Sequence, residues 1–187
     1  MKIALLAVFL LSSLWIASPI ADHSTPQEVT TASADKVVFL VRHGETCTEQ
    51  GSNPNLSAFG QDRANELSRV LMDVDLEVIY STPFNRTLGI AAPVAASHDM
   101  EVVQTPISSG FLESLANDIK GSDASAILVA GHSNTTPALI NLLIGSELED
   151  LSENDFDRLF VVTLHEDGTG SVVSIRYGLP SGHPEAC

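Results

Sequence analysis

"KVVFLVRHGETC", residues 36–47, carries a short apolar run that stops at an arginine, a histidine and a glycine. The run up to Val41 is β-branched and apolar throughout, which predicts a strand buried on both faces. In an open α/β sheet, ligands bind at the carboxyl ends of the strands. Arg42 and His43 would stand at that edge, so the reading turns on which residues the rest of the chain brings to meet them.

Outward from this stretch, strand and helix patterns alternate. Ser57 predicts an N-cap, followed by a helix with Phe59, Ala64, Leu67, Val70 and Leu71 on its apolar face. Residues 77–80 predict a second strand. After it, "STPFNRT" (81–87) offers Thr82 as N-cap and Pro83 at the first helical position, with Leu88, Ala91, Ala92 and Ala95 buried. A short strand at Val102 and Val103, a helix over 111–119 and an apolar strand over 126–130 follow. Residues 131–137, "GHSNTTP", repeat the strand, turn and helix arrangement, with Asn134 as a cap and Gly145 as the stop. Residues 159–164 and 171–177 predict a hairpin. The alternation implies βαβ units and a largely parallel sheet.

Three predicted strand ends now carry polar signatures: Arg42-His43, Arg86 and His132. Two of these lie beside helix N-termini, whose free N–H groups favour an anion. Arginine holds phosphate oxygens bidentately, and a neutral imidazole is available as a nucleophile near neutral pH. The set fits a dianionic phosphoryl group, with attack giving a phosphohistidine. Taken singly, each residue also has an ordinary structural reading, as strand-end surface, ion-pair partner or core histidine. Thr46 fits either a phosphate donor or a turn residue. His23, His98, His165 and His183 read as surface, and with no clustered ligand spacing no metal site and no cofactor are expected. Residues 147–157, rich in acid, read as a solvated connection.

A chain of 187 residues suits one domain. Lys2, the apolar run over 3–16 and the small residues up to Ala21 have the layout of a secretory signal peptide, although an uncleaved anchor also fits. Residues 22–35 read as a flexible leader and 36–187 as the domain, placed in a bacterial periplasm or secreted. A formal charge of −15 disfavours nucleic acid and anionic membranes as partners. The sequons at Asn55, Asn85 and Asn134 agree with a bacterial setting, because glycans on the last two would obstruct the pocket. Outside the cytosol, Cys47 and Cys187 are free either to pair or to remain separate thiols. The oligomeric state is not legible in the sequence.

"VRHGET", "LSAFGQDRA", "YSTPFNRT" and "VAGHSNTTP", in this order, resemble the histidine phosphatase, or phosphoglycerate mutase-like, superfamily. The resemblance runs from about Val37 to Tyr177. It implies a three-layer α/β/α fold with a mostly parallel central sheet, no metal, and His43 as the phosphorylated nucleophile. Arg42 and Arg86 would clamp the phosphate, and His132 would stabilise the transferring group. The family's usual acid has no decisive motif here; Glu113 is the choice, with Glu101, Asp99 and Asp118 as rivals. The short segment between Arg86 and His132 and the loop over 46–55, which lacks an aromatic residue, depart from the mutases. They favour a phosphatase acting on a small phosphomonoester. Phosphohistidine or phosphoprotein dephosphorylation, and a non-catalytic phosphate- or sugar-phosphate-binding protein, are the alternatives.

Overall fold

The computed structural model describes residues 35–181. The predicted signal peptide, all of the leader except Asp35, His23, His183 and Cys187 lie outside the described residues, and with Cys187 so does any pairing between the two cysteines. The elements run β1 (Lys36–Arg42), α1 (Ala58–Leu71), β2 (Val78–Ser81), α2 (Asn85–Ser97), β3 (Val102–Gln104), α3 (Phe111–Gly121), β4 (Ala126–Gly131), α4 (Thr135–Ile144), β5 (Arg158–Leu164) and β6 (Gly170–Arg176). A 3-10 turn, Thr48–Gln50, sits in the first loop. Among the described residues, no helix is long and apolar enough to cross a membrane.

The strands form one sheet in the order β3-β2-β4-β1-β5-β6. β1 to β4 run parallel, while β5 and β6 add an antiparallel margin. Alternation along β1 explains the layering. Val41 joins Leu67, Ile90 and Val94 beneath α1 and α2. Val38 and Leu40 join Leu115, Ile119, Leu139 and Ile140 beneath α3 and α4. The result is a three-layer α/β/α fold with a mostly parallel sheet.

This topology fixes where a ligand can enter. The chain leaves β1 over the α1 face towards β2, and it leaves β4 over the α4 face towards β5. The two connections diverge, so a crevice opens between the carboxyl ends of β1 and β4. Arg42 is in register with Gly131, and the backbone N–H of His43 donates to Gly131 O at 3.0 Å. His43 and His132 are therefore set side by side at the switch point.

Several local expectations are corrected. α2 begins at Asn85 with Phe84 in the N-cap position, so Thr82 and Pro83 precede the helix. Its buried face is Thr87, Ile90, Ala91, Val94 and Ala95; Ala92 is exposed. Asn134 holds the N-cap position of α4 but makes no capping bond, and Thr135 Oγ1 instead accepts from the His132 backbone N–H at 2.8 Å. Ser57 does cap α1, accepting from the Gly60 N–H at 3.3 Å. His98 is not plain surface: its two ring nitrogens lie 2.9 Å from Val94 O and 3.0 Å from Val74 O, tying the ends of α1 and α2 together.

Candidate active site

The nucleophile candidate is built by the turn that ends β1. His43 is 8% exposed, and its Nδ1 lies 2.8 Å from Gly44 O. A carbonyl can only accept, so Nδ1 carries the proton and Nε2 keeps its lone pair. Burial, together with the charges of Arg42, His132 and Arg86, holds His43 at about 3, against the Gly44 bond that favours protonation. The ring is thus neutral through the whole neutral range, with its Nε2 lone pair free.

Arg42 is 5% exposed and held on three sides. Its Nη1 donates to Ser152 O at 2.8 Å and to Glu153 O at 2.9 Å, and its guanidinium lies 4.1 Å over the Phe156 ring. Its Nε is a buried donor with no partner, a condition native interiors rarely leave unexplained. The acid-rich segment read as a solvated connection therefore does more than connect. It supplies two carbonyls and an aromatic wall to Arg42, and Phe156 also reaches the His43 ring at 5.9 Å.

His132 follows β4 and meets His43 edge-on, with ring centroids 5.5 Å apart. Burial, then the charges of Arg86 and Arg42, lower it to about 4. Its Nε2 lies 2.9 Å from Thr82 Oγ1, and Phe84 packs against it at 5.2 Å. Arg86, in the first turn of α2, stacks its guanidinium 4.5 Å from the same Phe84 ring. Each histidine is accordingly flanked by one arginine resting on one phenylalanine. Thr82, Phe84 and Phe156 were missed as site residues; the only sequence signal was the position of the first two beside a strand end.

The remaining candidates separate by topology. Thr46 lies in the loop after His43, half-buried and bridged to Leu56. Glu113 is exposed in the first turn of α3. That turn follows the carboxyl end of β3, the edge that carries the histidines. Asp99 and Glu101 precede β3, at the opposite edge, and Asp118 lies two turns down α3.

Beneath the site, Glu45 and Arg63 form a buried bidentate pair, at 2.9 Å from Nε and 2.6 Å from Nη2. Arg63 also donates to Tyr177 O and Leu179 O. Gly60 lets α1 approach the loop; a Cβ there would stand 2.2 Å from Glu45 O.

A sequence model of the histidine phosphatase superfamily (branch 1) matches residues 38–107, which hold most of β1, the His43 turn, Arg86 and β3. Over that stretch, little more than a third of the chain, the sequence is similar to the histidine phosphatase superfamily. An uncharacterized protein of Mycobacterium tuberculosis is 35% identical over 75 residues, 37% of this chain and 37% of that protein, so the match spans little more than a third of the relative. Among solved structures, the alpha-ribazole phosphatase from Shigella flexneri has 14% identity and a TM-score of 0.60, covering 75% of this chain and 96% of that one. The protein histidine phosphatase SixA, complexed with tungstate, has 20% identity and a TM-score of 0.58, with 75% and 96% covered. Phosphoglycerate mutase from Bacillus anthracis has 16% identity and a TM-score of 0.58, with 77% and 94% covered. At these identities the likeness shows the fold, with its mostly parallel sheet; in this chain that sheet carries His43 and His132 at its switch point.

Proposed function

We propose that the protein is a phosphomonoester hydrolase that works without a metal through phospho-His43. The observation that carries this reading is the pairing of a neutral, buried His43 with a buried Arg42 Nε that lacks an acceptor. A phosphoryl oxygen supplies that acceptor, while the Nε2 lone pair of His43 attacks phosphorus. The phosphorus–oxygen bond to the leaving alcohol breaks as the nitrogen–phosphorus bond forms. Arg42, Arg86 and His132 stabilise charge on the equatorial oxygens, the part a metal plays elsewhere. Glu113 is the proposed donor of the proton taken by the leaving oxygen. Water then attacks phospho-His43, releasing inorganic phosphate and restoring the ring. Thr46 is a further proposed phosphate donor. Small phosphomonoesters are the proposed substrates, with export to the periplasm or medium resting on residues 1–21.

The test is p-nitrophenyl phosphate hydrolysis from pH 4 to 8 in EDTA, beside His43→Ala. Turnover that survives EDTA, vanishes in the variant and passes through an acid-labile phosphoenzyme is expected. Turnover by the variant equal to wild type would remove His43 from the mechanism. A second reading, dephosphorylation of phosphohistidine on a protein, draws support from the exposure of Glu113, because an imidazole leaving group asks less of an acid. Activity on a phosphohistidine peptide without activity on small esters is its signature. Tight phosphate binding without turnover on either would indicate a binding protein.

A further inference from the structure

His132 is joined to two threonines that the phosphatase reading leaves without a role. Thr82 Oγ1 lies 2.9 Å from His132 Nε2 and 2.8 Å from Thr87 Oγ1. Thr87 Oγ1 in turn lies 2.9 Å from Thr82 O and 3.0 Å from Phe84 O. Thr82 and Thr87 are both buried.

Counting protons along this chain fixes its direction. The two carbonyls can only accept, so the single hydroxyl proton of Thr87 goes to them. Thr87 Oγ1 then accepts the single hydroxyl proton of Thr82. Thr82 Oγ1 has only lone pairs left for His132, so Nε2 must donate. The reverse order would turn the Thr87 proton away from both carbonyls, leaving the fewer bonds in a buried place.

From this chain we infer that Thr82 is a positioning residue, one that holds His132 as the Nε2–H tautomer and leaves Nδ1 as the nitrogen that meets the phosphoryl group. The inference rests on the proposed phosphate site for its ligand, but the tautomer itself does not. His43 is held in the opposite form, with Nδ1–H on Gly44 O and Nε2 bare. One ring is set to attack and the other to hold a proton. When a phosphoryl dianion enters, a proton from water adds to Nδ1 of His132. The imidazolium then donates through both nitrogens, to Thr82 on one side and to a phosphoryl oxygen on the other. The charged and titratable groups facing His132 are Arg42 and His43 from the end of β1 and Arg86 from α2. The arginines oppose that proton in the free protein, and the dianion offsets them.

The experiment is nitrogen-15 NMR of the imidazole rings at pH 7, with inorganic phosphate as the probe. In the ligand-free wild type, His132 is expected to show a protonated Nε2 and a bare Nδ1, which changes to doubly protonated on saturation with phosphate. Thr87→Val frees the Thr82 proton to turn towards His132 and is expected to shift the ring towards Nδ1–H. Thr82→Val is expected to weaken phosphate binding about tenfold, the loss of one bond to a charged group, with Thr82→Ser restoring it. A bare Nε2 in the wild type overturns the inference, whatever the variants do. Failure of phosphate to bind the wild type, with the Nε2–H tautomer intact, would instead strike the proposed function and leave the tautomer assignment standing.

Discussion

Arg42 and Phe156 show how single side chains prepare the site. Phe156 lies under the guanidinium and beside His43, excluding water from both, and is itself half-buried. Phe156→Ala is expected to lower kcat/KM about tenfold, for a positioned cation–π contact and its desolvation, with a stability loss of about 1–2 kcal/mol. Steady-state kinetics and urea unfolding measure the two separately. Glu113 answers to a different comparison. If it protonates the leaving oxygen, Glu113→Gln loses far more activity on an alkyl phosphate than on p-nitrophenyl phosphate, whose leaving group needs little acid. Equal losses on both substrates would move the acid elsewhere.

At the scale of elements, the loop after β1 and the first turns of α1 are clamped together by Glu45 and Arg63. Both groups are nearly inaccessible, at 3% and 4% exposure, so removing one leaves a buried charge without its partner. Arg63→Met is expected to cost about 3–5 kcal/mol in urea unfolding. Glu45→Gln with Arg63→Met together should recover part of that loss, because no charge is then stranded. The same clamp holds the chain beyond β6 through the Tyr177 and Leu179 carbonyls. The single variant should therefore expose the C-terminal segment to proteolysis before the sheet unfolds.

For the molecule as a whole, two buried neutral histidines set the acid limit. His43 is held at about 3 and His132 at about 4, whereas an unfolded chain titrates histidine near pH 6.5. Above about pH 6.5 neither form binds the proton and stability is unaffected. Below it the unfolded chain takes up protons that the folded chain refuses, so stability falls with acid. The fall is about 1.4 kcal/mol per pH unit for each histidine and ends near their folded values. The urea midpoint is expected to drop between pH 7 and pH 5, and to drop less in His43→Gln. An equal drop in the variant would assign the acid sensitivity to other groups.

How much of this was legible in the sequence follows from the range of the forces involved. The apolar runs, their β-branched composition, the Ser57 cap and the Gly145 stop are local, and they placed β1, β4, α1, α4 and the hairpin closely. The phase of α2 was misjudged because Thr82, a good cap by local chemistry, is drawn to His132, which stands 50 residues on. Phe156 and the carbonyls of Ser152 and Glu153 were invisible because an acid-rich stretch looks solvated until the fold lays it against Arg42. Arg42, His43, Arg86 and His132 could be nominated from residue type and strand-end position alone. Their convergence, the opposed protonation of the two rings and the separation of Glu113 from Asp99 and Glu101 came only with the tertiary structure. Strand order decides which ends are neighbours, and hydrogen-bond direction is decided by acceptors distant in sequence.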